Sequence, residues 1–310
     1  MTNISYLSAL YSNFFTGLSK KISFSLAWQG IMIFYLFVLF YGFNKVTYLL
    51  SNPIQSNFLA LWPVYWMNYF PKEAGIILIS LGVLISTLLT VLKSDLAIFR
   101  LLTFLSLLQL EAYLNSFGKI NHAEHLLILI AFILIFLPNK KNQTINQKIS
   151  FVKVFFSCQL IIMLTYTLSG FWKIETGITQ MLDGQIGSFH PLAMAYQIAG
   201  KLSETNESSL LANLFIKNIW LSWPLYLGSI YLEIFAIYAV FKPDLHKIWG
   251  VFLILFHIFV YLSMAIPFSF NIFLLGLFFI YSPFAPEKFS LKAVLKQLLL
   301  VDIFIKLKKF

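Results

Sequence analysis

Long apolar stretches broken by short polar punctuation run through most of this chain. About 20 apolar residues carry a helix across the hydrocarbon core of a bilayer. The pattern predicts eight such spans, roughly 23–43, 74–92, 97–114, 122–137, 151–172, 219–241, 247–265 and 267–282. The second and third are parted only by Lys93, Asp95 and Arg100, and the seventh and eighth only by Pro267, Ser269 and Asn271. The fourth is short. Two connections are long. Residues 44–73 gather Trp62, Tyr65, Trp66 and Tyr69 around Pro63 and Pro71, and residues 173–218 contain GITQMLDGQIGSFHPLAMAYQIAG. In that run Ile178, Met181, Leu182 and Ile186, then Leu192, Met194 and Ile198, have the spacing of short amphipathic or re-entrant helices. They lie either in the membrane interface, as Trp and Tyr belts do, or over a cavity as a lid. The expected fold class is an all-α integral membrane protein, a bundle of about eight transmembrane helices with short amphipathic helices in the 173–218 outer loop. A cytoplasmic segment 1–22 precedes the transmembrane domain 23–285, and a basic cytoplasmic tail 286–310 follows it. The tail interleaves Lys with Leu and Phe, which suits an anionic inner leaflet.

Composition agrees with the pattern. Apolar residues make up 59% of the chain and charged residues only 11%, whereas a soluble domain carries about 25% charged residues. A surface so poor in charge faces lipid rather than water. A net charge of +10 could point to nucleic acid. Here, however, the cations stand between apolar runs and in the tail, where they orient a membrane protein, so no nucleic-acid partner is expected. With eight spans the two termini share a side, and that side holds sixteen of the 22 Lys and Arg residues. The other holds Lys45, Lys72, Lys119, Lys173, Lys201 and Lys217, together with Glu73, Glu175, Asp183, Glu204 and Glu207. The positive-inside rule then places both termini in the cytoplasm and the His122 and Lys173 ends outside. The expected location is the cell membrane, crossed several times. A lone cysteine, Cys158, excludes an internal disulfide framework. No cleavable signal peptide is expected, because the first long apolar run is of membrane length.

Ionisable groups inside a membrane are costly and face protein or water. Glu233 lies in IYLEIFAIYAVF and His257 in LILFHIFVYLSM, near the middles of consecutive antiparallel spans. They reach similar depth and are expected to touch, directly or through one water, either as a structural hydrogen bond or within a site. His122 and His125 open the fourth span in INHAEHLL, where Asn121 could cap the helix. Two histidines at i, i+3 can ligate a metal, but no third ligand accompanies them, so no metal is expected. Lys173 closes the fifth span in TYTLSGFWKIETG, beside Trp172, and by itself reads as a snorkelling lysine. The chain has no Walker motif, G-x-S-x-G elbow, C-x-x-C or H-E-x-x-H.

Several of these stretches have a familiar order. LSGFWKIETG, followed after five residues by DG, is similar to an A-G-x-x-K-L … W-x-x-G segment. INHAEHLLILIAFILIFLP is similar to an N-N-H … L-L-A-x-x-L helix, and LFHIFVYLSMAIPFSFN to an F-H … S … I-x-x-F segment whose preceding helix carries an acid where Glu233 stands. In that order, across about residues 95–285, they resemble the vitamin K-dependent γ-carboxylase family and its bacterial relatives, the HTTM membrane domain. The resemblance implies that Lys173 is the lysine that deprotonates reduced vitamin K, that His122 assists it, and that His257 and Glu233 line the same region. Tyr166, one turn pair before Lys173, is placed with them among the cofactor-lining residues. A reduced, vitamin K-like quinone and an outward-opening site follow from the same resemblance. Trp172 stands where the family has the first lysine of a pair, and Ile178 or Thr179 where it has Trp. The chain continues for about 28 residues beyond its last predicted span. That is too short for the family's large extramembrane domain, so a short form is expected. Short relatives include SdpB-like proteins, which help mature a secreted peptide toxin.

Three functions stay open. One is a quinol- or lipid-dependent enzyme with Lys173 as base, its site lined by His122, His257 and Glu233 and covered by residues 174–200. Another is a non-catalytic membrane partner for maturation or export of a secreted peptide. The third is a transporter, which would show internal repeats and broken helices near the midplane. A catalytic Lys173 must present a neutral amine, which an apolar pocket favours and headgroup water does not. Burial of Lys173 therefore separates enzyme from anchor.

Overall fold

The computed structural model describes residues 13–20, 22–52, 57–118, 122, 124–139, 144–286 and 290–298. Among them there is helix and no strand. The chain forms two compact units, Met1–Cys158 and Gln159–Phe310.

The first unit contains a short helix 13–20, then α1 (Phe24–Ser51), a 3-10 segment Trp62–Tyr69, α2 (Lys72–Leu92), α3 (Ala97–Leu114) and α4 (His125–Leu134). The start of α5 (Ile145–Leu182) completes it. Small residues set the packing, as they do between helices in lipid. On α2 the buried face is Gly75, Ile76, Ile79, Ser80, Val83, Ser86, Thr87 and Thr90, while Ile77, Leu78, Leu81, Ile85 and Leu88 point outward. Gly42 of α1 lets Val83 approach so closely that a Cβ there would lie 2.7 Å from its Cγ1. Hydroxyls pair α2 with α3, Thr90 Oγ1 with Thr103 Oγ1 at 2.9 Å and Ser86 Oγ with Ser106 Oγ at 3.4 Å. The aromatic 3-10 segment exposes Trp62, Tyr65 and Tyr69. The strand of chain before it is pinned to the end of α3 by Leu59 N–H on Ser116 O at 2.8 Å.

The second unit contains the rest of α5, then α6 (Ala193–Thr205), α7 (Ala212–Lys217), α8 (Ile219–Ile234) and α9 (Ala236–Val240). After a 3-10 turn Pro243–Leu245 come α10 (His246–Met264), α11 (Ser269–Leu275) with a π turn Gly276–Ile280, and α12 (Leu291–Gln297). Burial follows the helical period. It takes Ser222, Tyr226, Ser229, Ile230 and Glu233 on α8, and His246, Trp249, Gly250, Leu253 and His257 on α10.

Among the described residues five helices are long and apolar enough to cross a bilayer by themselves: Phe24–Ser51, Lys72–Leu92, Ala97–Leu114, Ile145–Leu182 and Pro243–Met264. The fourth, sixth and eighth stretches predicted as spans carry shorter pieces, because α4 stops at Leu134, α8 breaks at Phe235 and α11 gives way to the π turn. A second difference concerns the outer loop. Residues 173–182 belong to α5, whose 38 residues extend over about 57 Å at 1.5 Å per residue, well beyond a hydrocarbon core of about 30 Å. The chain then folds back: Gly184 adopts φ 69° and Gly187 approaches so near that a Cβ would lie 2.9 Å from Gly177 O. The amphipathic helices of the loop are α6 and α7. Their apolar faces bury Met194, Ile198 and Phe215 against Tyr226 and Ile230, with Ile174, Phe259 and Met264 around them. Protein rather than an open interface covers these faces, and Leu211 N–H on Leu262 O at 2.8 Å and Ser209 Oγ on the same carbonyl at 2.9 Å tie the connection down.

Candidate functional site

One stripe of α5 organises the polar interior of the second unit. Gln159, Tyr166 and Lys173 recur every seven residues, with Ser169 between the last two, so all four project from one side of the helix. Gly170 lies on the same stretch, and a Cβ there would come within 2.8 Å of the backbone nitrogen of Ile234. The missing side chain lets α5 and α8 touch backbone to side chain. That closeness brings Glu233 within reach of the polar stripe.

Lys173 Nζ donates to both oxygens of the Glu233 carboxylate, at 2.7 and 2.6 Å, and Ser169 Oγ donates to Oε1 at 3.5 Å. The carboxylate side chain is 4% exposed and the lysine 24%. The Phe256 ring lies beneath the ammonium, 5.6 Å from its centroid. Lys173 is thus half-buried. It is also engaged: an amine donating to two carboxylate oxygens acts as a base only after its proton has moved to the acid. A charge-assisted contact of this kind is short and strong.

The α8 helix ends beside this pair. The break at Phe235 would strand backbone groups, and in an apolar medium each needs a partner. Thr167 Oγ1 accepts the Ile237 N–H at 3.0 Å, and Trp249 Nε1 donates to Leu232 O at 3.1 Å.

Two turns down α5, Tyr166 hydroxyl and His257 Nε2 are 2.6 Å apart, and Asn271 Nδ2 donates to the same hydroxyl at 3.2 Å. His257 is 2% exposed, and Phe268 and Phe256 flank its ring at 4.6 and 5.2 Å between centroids. Its Nδ1 is buried with no hydrogen-bond partner among the described residues. An orphaned buried polar group costs about 1–3 kcal/mol, so this atom is a place where a ligand gains more than packing. Two further turns down, Gln159 Nε2 donates to Phe278 O at 2.6 Å and Ser282 Oγ at 3.1 Å, and His246 Nδ1 pairs with Ser282 Oγ at 2.9 Å.

Four of the residues singled out from the sequence, Lys173, Glu233, Tyr166 and His257, therefore sit on one polar file. Of the contact expected between Glu233 and His257, direct or through one water, the direct hydrogen bond does not form. The helix α5 offers each a better-matched partner, an ammonium for the carboxylate and a phenol for the imidazole. His122 lies in the first unit, its Nδ1 3.2 Å from Nδ1 of His125 with the rings edge to face. Asn121, expected to cap that helix, lies outside the described residues. Glu124 holds the Ncap position of α4 instead, and its carboxylate is 3.4 Å from Lys45 Nζ. Asn271, Ser169 and Gln159 escaped the sequence reading. A heptad search through the fifth span, outward from Lys173, would have found Gln159.

No family model, curated protein or solved structure matches the chain.

Proposed function

We propose that this chain is one of the vitamin K-dependent γ-carboxylase-like HTTM membrane proteins, crossing the cell membrane eight times with both termini cytoplasmic. Its second unit binds the oxygen-bearing head of a reduced quinone or a similar lipid at Lys173, Glu233, Tyr166 and His257. The observation that carries this reading is the Lys173–Glu233 pair beside a buried histidine nitrogen with no partner, in a wall of apolar helix. A reduced quinone supplies a weakly acidic hydroxyl. Within the chain, Lys173 Nζ passes its proton to Glu233 and then takes the proton of the bound hydroxyl, while Ser169 keeps the acid oriented. Phe256 and Phe268 exclude water, and His257 fixes the orientation of the head. The proposed site is confined to the second unit.

Lys173→Arg tests the base, because arginine keeps the charge and cannot lose its proton. Quinol turnover by purified protein falls at least a hundredfold in that variant if Lys173 is the base. Unchanged turnover makes Lys173 a structural cation. Reporter fusions after Asn139 and Pro243 read cytoplasmic and fusions near Glu204 read external under the proposed topology. A cytoplasmic reading at Glu204 rejects it.

The break in α8 supports a second reading. Transporters place broken helices beside a buried ionisable group, and here Phe235 interrupts the helix two residues after Glu233. Proton flux into liposomes, abolished by Glu233→Gln and independent of any quinol, would favour transport over catalysis.

A further inference from the structure

We infer that His257 is a neutral imidazole whose proton is fixed on Nδ1, so that it presents one N–H donor to the ligand and requires an accepting oxygen there, such as a quinone carbonyl. The position of the ligand rests on the function proposed above; the tautomer does not.

The argument begins at Tyr166. A phenol has one O–H to give. Its oxygen already accepts from Asn271 Nδ2 at 3.2 Å, and the other polar neighbour is His257 Nε2 at 2.6 Å. The tyrosine hydrogen therefore goes to Nε2, which must be unprotonated to receive it. In a neutral imidazole the bond made by one nitrogen sets the state of the other, so Nδ1 carries the hydrogen. That N–H is buried and no acceptor among the described residues reaches it. Phe268 and Phe256 cover the ring and offer no oxygen. Asn271 and Tyr166 are positioning residues in this scheme: they touch His257 or one another and hold its tautomer. The specificity that follows is polar and one-sided. A ligand with an acceptor oxygen at this point completes the network, and the same ring without that oxygen leaves it open.

Nitrogen NMR of protein labelled with 15N-histidine, purified in dodecyl maltoside, reads the tautomer directly. The expected wild-type spectrum shows His257 protonated on Nδ1 with Nε2 bare, beside the separate Nδ1 hydrogen that the His122–His125 contact requires. Tyr166→Phe, which keeps the ring and removes the O–H, assigns that signal by turning it into a mixture of tautomers. Menadione, a naphthoquinone, is expected to shift the Nδ1 resonance. 2-Methylnaphthalene, the same ring system without oxygen, is expected to leave it unmoved, and His257→Gln to weaken menadione binding by about tenfold. A signal assigned to His257 by Tyr166→Phe and protonated on Nε2 overturns the inference whatever binds. A signal on Nδ1 that responds to dioctanoylglycerol, through its ester carbonyls, and not to menadione supports the inference and rejects the quinone reading. A signal on Nδ1 that responds to neither overturns the requirement for an accepting ligand.

Discussion

Each unit of this protein holds a cation among its helices, Arg100 buried and Lys173 half-buried, and the two are used differently. Arg100 in the first unit is 1% exposed and, among the described residues, donates to backbone carbonyls, those of Ser94, of Ile135 at 3.3 Å and of Leu137 at 2.5 Å. It closes the end of α4 and the turn before α3, where helices leave carbonyls without partners. A carbonyl cannot take up or lose a proton near neutral pH, so this cation has one state. Lys173 in the second unit faces a carboxylate, which can, so the pair has two. The first arrangement holds a fold together, and the second can do chemistry. The comparison predicts that damage at Arg100 shows in stability and damage at Lys173 shows in function.

The largest effect is expected from Arg100→Leu. It leaves two buried carbonyls and the part-buried one of Ile135 short of a donor; each buried one costs about 1 kcal/mol or more, so the loss is about 2 kcal/mol or more. Arg100→Lys recovers little, because one ammonium cannot reproduce a planar fork. Reversible unfolding in mixed micelles measures both. If the two variants unfold like the wild type, Arg100 is not the clasp described here.

Gly170→Ala comes next. The added methyl meets the Ile234 backbone at 2.8 Å, and overpacking of this kind costs about 1–3 kcal/mol. Because the clash drives α8 away from α5, the variant also lengthens the Lys173–Glu233 contact. Gly228→Ala, on α8 where nothing lies within 4 Å, is the control. It is expected to be neutral or to stabilise by up to about 1 kcal/mol, the helix-propensity difference between Gly and Ala. Equal losses at the two glycines would mean that close approach at Gly170 is unimportant.

A smaller effect, about 1–2 kcal/mol, is expected for the coupling between Lys173 and Glu233, near the upper range for polar contacts between membrane helices. A double-mutant cycle with Lys173→Met and Glu233→Gln measures it. A coupling near zero would mean that the pair is incidental.

Hydropathy made the helical membrane architecture and the positions of most helices legible in the sequence, because lipid leaves helices and barrels as the only spanning forms. Where pieces are short it did not. The break at Phe235 has no proline or glycine to announce it, and depends on Thr167 and Trp249, which lie far away in the chain and accept or supply the stranded hydrogen bonds. The continuation of α5 to Leu182 was hidden because polar Lys173 and Glu175 look like a loop until Glu233 is seen to meet the lysine. At the site, Lys173, Glu233, Tyr166 and His257 were each conspicuous as polar groups in apolar surroundings. Who pairs with whom was not, since depth along a helix says nothing about rotation around it. Arg100 read as a loop charge for the same reason: its partners are carbonyls, which every residue has.

The smallest effect separates the units most cleanly. Thr90 in the first unit and Thr167 in the second are both buried threonines with hydroxyls in hydrogen bonds between helices. Replacing either by valine keeps the shape and removes the oxygen, and each change is expected to lose about 0.6 kcal/mol, the average for such contacts in a membrane protein. The consequences then part. Thr90 Oγ1 bonds Thr103 Oγ1 and also donates to Ser86 O in its own helix, and its loss leaves the backbone ladder intact. Thr167 Oγ1 accepts the Ile237 N–H at the break in α8, and its loss strands a backbone donor four residues from Glu233. The break must shift or recruit water, and Glu233 shifts with it. Thr167→Val is therefore expected to weaken the Lys173–Glu233 coupling by at least half in a cycle repeated on that background, whereas Thr90→Val leaves it unchanged. Equal coupling on both backgrounds would show that the break and the ion pair are independent, and the second unit would then hold its acid and base by the crossing at Gly170 alone.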